Sequence, residues 1–269
     1  DDLEKAHAKM ESYRQLEMTP KSGIDPFTNQ ESRKALFEKS YQEVLIAYPG
    51  SLGKFFGRSL CRKGFISINA GEKVGKTFWL IDMAFRAMCQ RRKVVFFGVG
   101  DMTEDEMTER FMVRAAKKPM YPDQYKYPVK FTRPAKDKPP KAEYEIRESA
   151  TDLTLADADK ASARVMNKIV KSPESHFRLY FHSNDSCTVD MIDNEIISLQ
   201  QDGFVPDVCI VDYADILQSP SSYQLSARDA INLTWRRLRR LSHDRSILLI
   251  TATQAPARSY MKGRITKQD

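Results

Sequence analysis

Ala70-Gly71-Glu72-Lys73-Val74-Gly75-Lys76-Thr77 is the stretch whose reading settles the fold. It follows a short apolar run, Phe65 to Asn69, and opens an amphipathic stretch, Phe78 to Gln90. A glycine-bearing turn between a strand and a helix, closed by Gly-Lys-Thr, is the pattern of a phosphate-binding loop. Gly71 and Gly75 let successive backbone N–H groups turn inward onto phosphate oxygens. The helix N-terminus adds its positive dipole end at the same place. Lys76 has the reach to meet β- and γ-phosphates, and the Thr77 hydroxyl can ligate Mg²⁺. The expected nucleotide site is therefore Ala70, Gly71, Glu72, Lys73, Val74, Gly75, Lys76, Thr77 and Phe78, with ATP and Mg²⁺ as its ligands. The first glycine of the strict pattern is Ala70 here, a departure of one methyl group.

Outward from the loop, short apolar runs alternate with longer amphipathic stretches. The runs are Phe65–Ile68, Val94–Phe97, Phe177–Phe181, Val208–Val211 and Ile247–Ile250. Helical periodicity falls between them, at 77–90, 103–116, 188–201 and 227–243. Strands alternating with helices predict an α/β domain with a mainly parallel five-stranded sheet covered on both faces.

Two more segments carry chemistry. Val208-Cys209-Ile210-Val211-Asp212 is an apolar strand ending in a carboxylate, the element that holds Mg²⁺ in this class of site. An aspartate at a strand end is also a common helix N-cap. Ile247 to Thr253 is a strand that ends at Gln254, which can orient water, sense the γ-phosphate, or cap a loop.

The remainder bounds the organisation. At 269 residues the chain falls between one and two domains of about 150 residues each. Its 41% hydrophobic and 29% charged residues suit a folded, soluble protein. No apolar run approaches the roughly 20 residues that cross a bilayer. The first twenty residues are polar and charged, without a signal-peptide pattern, so a cytoplasmic protein is expected. Cys61, Cys89, Cys187 and Cys209 are scattered without metal-ligand spacing and read as reduced thiols. Residues 1–60 read as a helical extension or linker, with helices over 1–19 and about Glu31–Ala47, and the domain proper as 61–269. Residues 117–147 hold six of the thirteen prolines with many lysines and tyrosines, and read as an unstructured insertion between the second and third strands.

These motifs, in this order, resemble the RecA-like ATPases, and within them the DnaB-type replicative helicases and their phage or mobile-element relatives. The residues that carry the resemblance are Asn69 to Thr77, Val94–Phe97 followed by Asp101 to Met107, Ile210-Val211-Asp212-Tyr213, and Leu238–Leu241 followed by Ile247–Thr253 and Gln254. Together they span roughly residues 60–258. The resemblance implies a catalytic acid after the second strand. Asp101 fits that place if one residue is inserted at Gly98–Gly100, although Asp is a methylene shorter than the family's Glu; Glu104 is the alternative, and a solvated helix start accounts for both. It also implies a basic residue supplied by a neighbouring copy, hence a ring or filament. The chain ends at Asp269, before the place where that family carries its finger, so a fragment, or a finger from elsewhere, is expected.

The net charge of +7 is compatible with a polyanionic partner. Arg258, Tyr260, Lys262, Arg264 and Lys267 lie where RecA-like proteins carry DNA-binding loops, and read either as a contact to DNA, single-stranded by preference, or as a solvated tail over 255–269. The lysines and tyrosines of 117–147 have a single-strand-binding composition or that of a charged loop. The arginines among Trp235 to Leu241 read as the solvated face of a helix. The expectation is an Mg²⁺-dependent ATP hydrolase coupled to DNA, helicase-like in replication, with Lys76, Asp101, Asp212 and Gln254 in the chemistry. A recombination or repair ATPase and a scaffold that binds ATP without turning it over remain alternatives.

Overall fold

Runs such as Val94-Val95-Phe96-Phe97 and Val208-Cys209-Ile210-Val211 have no polar face to offer water, and the fold buries them on both sides. A computed structural model of the chain describes residues 43–100, 102–121, 124–132, 141–148, 151–170, 175–183, 186–219 and 226–255, with parts of 25–34. The elements in chain order are α1 (Gly50–Phe56), β1 (Phe65–Ala70), α2 (Lys76–Cys89), β2 (Val94–Val99), α3 (Glu104–Ala116), β3 (Gln124–Thr132), β4 (Lys141–Glu148), α4 (Leu155–Arg164), β5 (Phe177–His182), α5 (Val189–Gln201), β6 (Val208–Asp212), α6 (Ala227–Asp244) and β7 (Leu248–Gln254). Five strands form one sheet in the order β1-β7-β6-β2-β5, and every pairing in it is parallel. β2 and β6 are buried throughout, whereas the edge strand β5 is half-buried along its length.

Alternation along the strands divides the interior into two cores. Val94, Phe96, Val208, Ile210, Leu248 and Ile250 face α2, α3 and α4, where Leu80, Ile81, Ala84, Met107 and Phe111 meet them. Val95, Phe97, Cys209, Val211 and Leu249 face α5 and α6, packed by Ile192, Ile196, Leu238 and Leu241. The helices start where the sequence offers caps. Thr103 and Glu106 form a reciprocal capping box at α3, and Thr154 and Asp157 another at α4. Thr188 and Ser226 accept backbone N–H groups at α5 and α6. On α6, Leu238 and Leu241 are buried and Trp235 packs edge-on against Phe65 with centroids 5.6 Å apart, leaving Arg236, Arg239 and Arg240 outside.

Three expectations are corrected. The compact unit that carries the sheet begins at Glu43 rather than at 61, the other unit being residues 1–42. The reason is burial: Leu45, Ile46 and Leu60 are within 1% of fully covered and belong to the α2-side core. Residues 43–49 are not helical, although the helical pattern runs to Ala47; Val44 instead makes a bridge to Cys61. The helix expected over 1–19 lies outside the described residues. Finally, the Pro- and Tyr-rich segment is not structureless, because β3 and β4 pair as an antiparallel ribbon. Its Tyr, Phe, Val and Ile content is strand-forming, and the prolines that suggest a loop fall mostly at its ends and beyond them.

The four cysteines are free, and three of them are buried. Burial pushes the Cys187 thiol up to about 12 and raises that of Cys209 as well, so both stay protonated and unreactive. No helix among the described residues is long and apolar enough to cross a membrane.

Candidate functional site

The carboxyl ends of parallel strands form the open edge of such a sheet, where ligands of α/β proteins sit. The chain's unusual residues gather there. The loop from Gly71 to Gly75 turns between β1 and α2 with Lys73 and Gly75 both left-handed, at φ 56° and 90°. The second of these is the N-cap of α2, a position at which a side chain would strain the backbone. No side chain caps this helix and no acid lies in its first turn. Its leading N–H groups are therefore left facing the loop, the arrangement that takes up an anion. Lys76 folds back over the loop and donates from Nζ to the carbonyl of Gly71 at 2.8 Å and that of Ala70 at 3.4 Å.

Asp212 closes the floor. Ending β6, it is 7% exposed, and burial raises its pKa above the ordinary carboxylate value. The Thr77 hydroxyl, Arg110 and Lys76 act against that rise, so all three lie close to the carboxylate. Thr77 and Asp212 thus form a pair of hard oxygens beside a cationic cradle, a donor set that suits Mg²⁺ held jointly by protein, water and phosphate. A cluster of three acidic, histidine or cysteine ligands is absent among the described residues, and a site of this kind does not require one.

Gln254 joins the same place through backbone register. Ala70 pairs with Gln254 across β1 and β7, and the N–H of Ala255 donates to the carbonyl of Ala70 at 3.0 Å. The end of β7 is in turn fixed by a residue the sequence motifs do not point to. Asp215, in the turn after β6, accepts from the Thr253 hydroxyl at 2.7 Å and from the Gln254 N–H at 3.0 Å. Its signal in the sequence is faint, a second acid three residues beyond Asp212. Replacing Asp215 with Ala leaves two donors without their charged acceptor, at an expected cost of about 1–3 kcal/mol. Denaturant unfolding should place Asp215→Asn, which keeps one acceptor oxygen, between wild type and Asp215→Ala.

Arg110 is likewise not legible from sequence. It lies on α3 between the buried Met107 and Phe111, and its guanidinium carbon stands 5.5 Å from the centre of the half-exposed Phe78 ring. Helical spacing from the Thr103 cap could place it on the loop side, but nothing in its own surroundings marks it. Glu104 is exposed in the first turn of α3. Asp101 and the basic residues Arg258, Lys262, Arg264 and Lys267, together with Tyr260, lie outside the described residues.

Comparison with known proteins bears on the fold. Residues 142–269 match the family described as divergent DnaB-like ATPases, a stretch that contains Asp212 and Gln254 but not the loop at 70–77. A DnaB-like replicative helicase, solved in a study of its interactions with primase, superposes with a TM-score of 0.58 at 15% identity, over 95% of this chain and 54% of its own length. A second solved structure, that of an ATPase domain, gives a TM-score of 0.63 at 14% identity, over 91% of this chain and 78% of that one. The chain spans about half the length of the first of these. No curated protein sequence matches. The chain shares the fold of these two structures, and its C-terminal part, residues 142–269, matches the divergent DnaB-like ATPase family.

Proposed function

We propose that this protein binds Mg²⁺-ATP at Gly71–Thr77, hydrolyses it, and couples the hydrolysis to DNA in a helicase-like role in replication. The observation that carries this reading is the meeting, at one sheet edge, of a backbone cradle, Lys76, the Thr77–Asp212 pair and Gln254. Lys76 would neutralise charge developing on the transferred phosphoryl group, and Mg²⁺ would supply the remaining positive charge when bound. Thr77 and Asp212 would hold the metal. Gln254, fixed by Asp215, would face the attacking water, and Asp101 would orient that water. The basic segment from Arg258 to Lys267 follows β7 directly in the chain and would contact single-stranded DNA. A ring or filament of copies working in the cytoplasm would complete each site with a basic residue from a neighbour.

The test is steady-state ATP hydrolysis by the protein with and without single-stranded DNA, together with its mass in solution under the same conditions. DNA-stimulated turnover by an oligomer is the expected result. Tight ATP binding without turnover in any condition would replace this reading with a nucleotide-dependent scaffold. A monomer in the presence of both ligands would remove the ring or filament.

A further inference from the structure

The ATPase reading leaves the β3–β4 ribbon without a task. This ribbon is about 30 Å long at the usual strand rise. Every residue of β3 is exposed, and so is every residue of β4 except Ala142. An isolated pair of strands is marginal in water, so a ribbon this bare gains by binding something. Its register sorts the side chains. Because of the shift between Pro128 and Lys130, Phe131 opposite Ala142, Pro128 opposite Tyr144, and Lys126 opposite Ile146 all share one face. Phe131, Tyr144 and Ile146 there are 68%, 58% and 70% exposed.

The two faces differ in their acids. The other face carries two acids, Glu143 and Glu145, paired with Lys130 at 3.5 Å and with Arg147 at 3.2 Å; Arg147 also stacks 3.7 Å over the Tyr127 ring, and Lys141 lies at the end of that face, opposite Thr132. The Phe131–Tyr144 face has one acid, Glu148, at its open end, and Gln124 donates to it at 2.8 Å. The strands lead into a connection of residues 133–140, Arg-Pro-Ala-Lys-Asp-Lys-Pro-Pro, whose composition is basic. Exposed rings with a cation beside them and few acids are how proteins hold unpaired bases and their phosphates. An acidic protein partner would find Lys126 but no use for the rings, and an apolar one would find the rings but meet Lys126 among them.

We propose that the Phe131–Tyr144 face of the β3–β4 ribbon is a stacking platform for single-stranded nucleic acid, separate from the residues that follow β7. This extends the nucleic-acid half of the proposed function, and the experiment measures binding without nucleotide so that the absence of ATP hydrolysis would leave it decisive. The full chain is titrated against a fluorescein-labelled thirty-nucleotide oligo(dT), with anisotropy as the readout, at two salt concentrations. Phe131→Ala/Tyr144→Ala is expected to bind about tenfold or more weakly. Lys126→Glu should also weaken binding, and more so at low salt. Tyr125→Ala/Tyr127→Ala, on the opposite face, should bind as the wild type does. Equal binding by Phe131→Ala/Tyr144→Ala and wild type overturns the proposal, as does an equal loss from both ring pairs. A change in solution mass with unchanged oligo(dT) affinity also overturns it, and makes the face a contact between copies.

Discussion

Lys76→Ala should reduce ATP hydrolysis by about 10²–10³-fold or more, the scale seen when one pre-positioned charge-stabilising donor is removed. Two features make the loss specific to chemistry rather than to folding. Lys76 is the first residue of α2, where alanine is the best helix former, so the backbone of the loop and the left-handed Gly75 before it are undisturbed. Its side chain contributes two hydrogen bonds to the loop carbonyls of Ala70 and Gly71, which can turn to water when the ammonium is gone, and only the smallest of the influences on Asp212. Thermal unfolding without nucleotide should therefore barely move. Single-turnover hydrolysis and unfolding, measured on the same preparation, separate the two effects. Turnover within tenfold of wild type would show that Lys76 is only a loop strap.

The prediction draws on what the sequence makes plain, and the sheet shows where that plainness comes from. Strands such as Val94–Val99 are apolar on both faces because both faces are covered, so they stand out as uninterrupted runs. The loop at 71–77 stands out because its pattern is restrictive: Gly75 takes φ 90°, and Lys76 and Thr77 follow it. Residues that act through tertiary position leave no such mark. Arg110 reaches Phe78 and Asp212 only because α3 packs beside α2, and Asp215 reaches Gln254 only because β6 and β7 are sheet neighbours. The start of the sheet-bearing unit escapes sequence reading for a related reason. Leu45 and Ile46 are buried without belonging to a strand or helix, so the helical pattern that runs through them to Ala47 points to the wrong element. The ribbon escapes it because its prolines outweigh its alternation, which has no buried face to sharpen it.

Asp212→Asn should abolish turnover and, without ligand, make the protein more stable. Burial is the dominant influence on Asp212 and raises its pKa above 3.8, its ordinary value, despite Thr77, Arg110 and Lys76 acting the other way. A carboxyl whose folded pKa is raised binds its proton more tightly in the folded state than in the unfolded chain. Its favourable contribution is thus complete below the unfolded value and is lost as pH rises through the folded one. At neutral pH the ionised group is a net cost, which asparagine removes while keeping an oxygen that can accept from Thr77. The melting temperature of Asp212→Asn should exceed that of wild type at pH 7, and the gap should close as the pH is lowered towards 4. By the same sign kcat/KM, which reports the unliganded protein, should fall on the acid side at a pH above that of an ordinary carboxylate. Adding Mg²⁺-ATP should reverse the ranking. Ligand at a hundred times its Kd stabilises the protein that binds it by about 2.7 kcal/mol, and the variant lacking the metal-side charge should gain less. A variant that melts below wild type at neutral pH without ligand would mean that Arg110 and Lys76 outweigh burial, and that Asp212 is held in place by its cations rather than kept there for the metal.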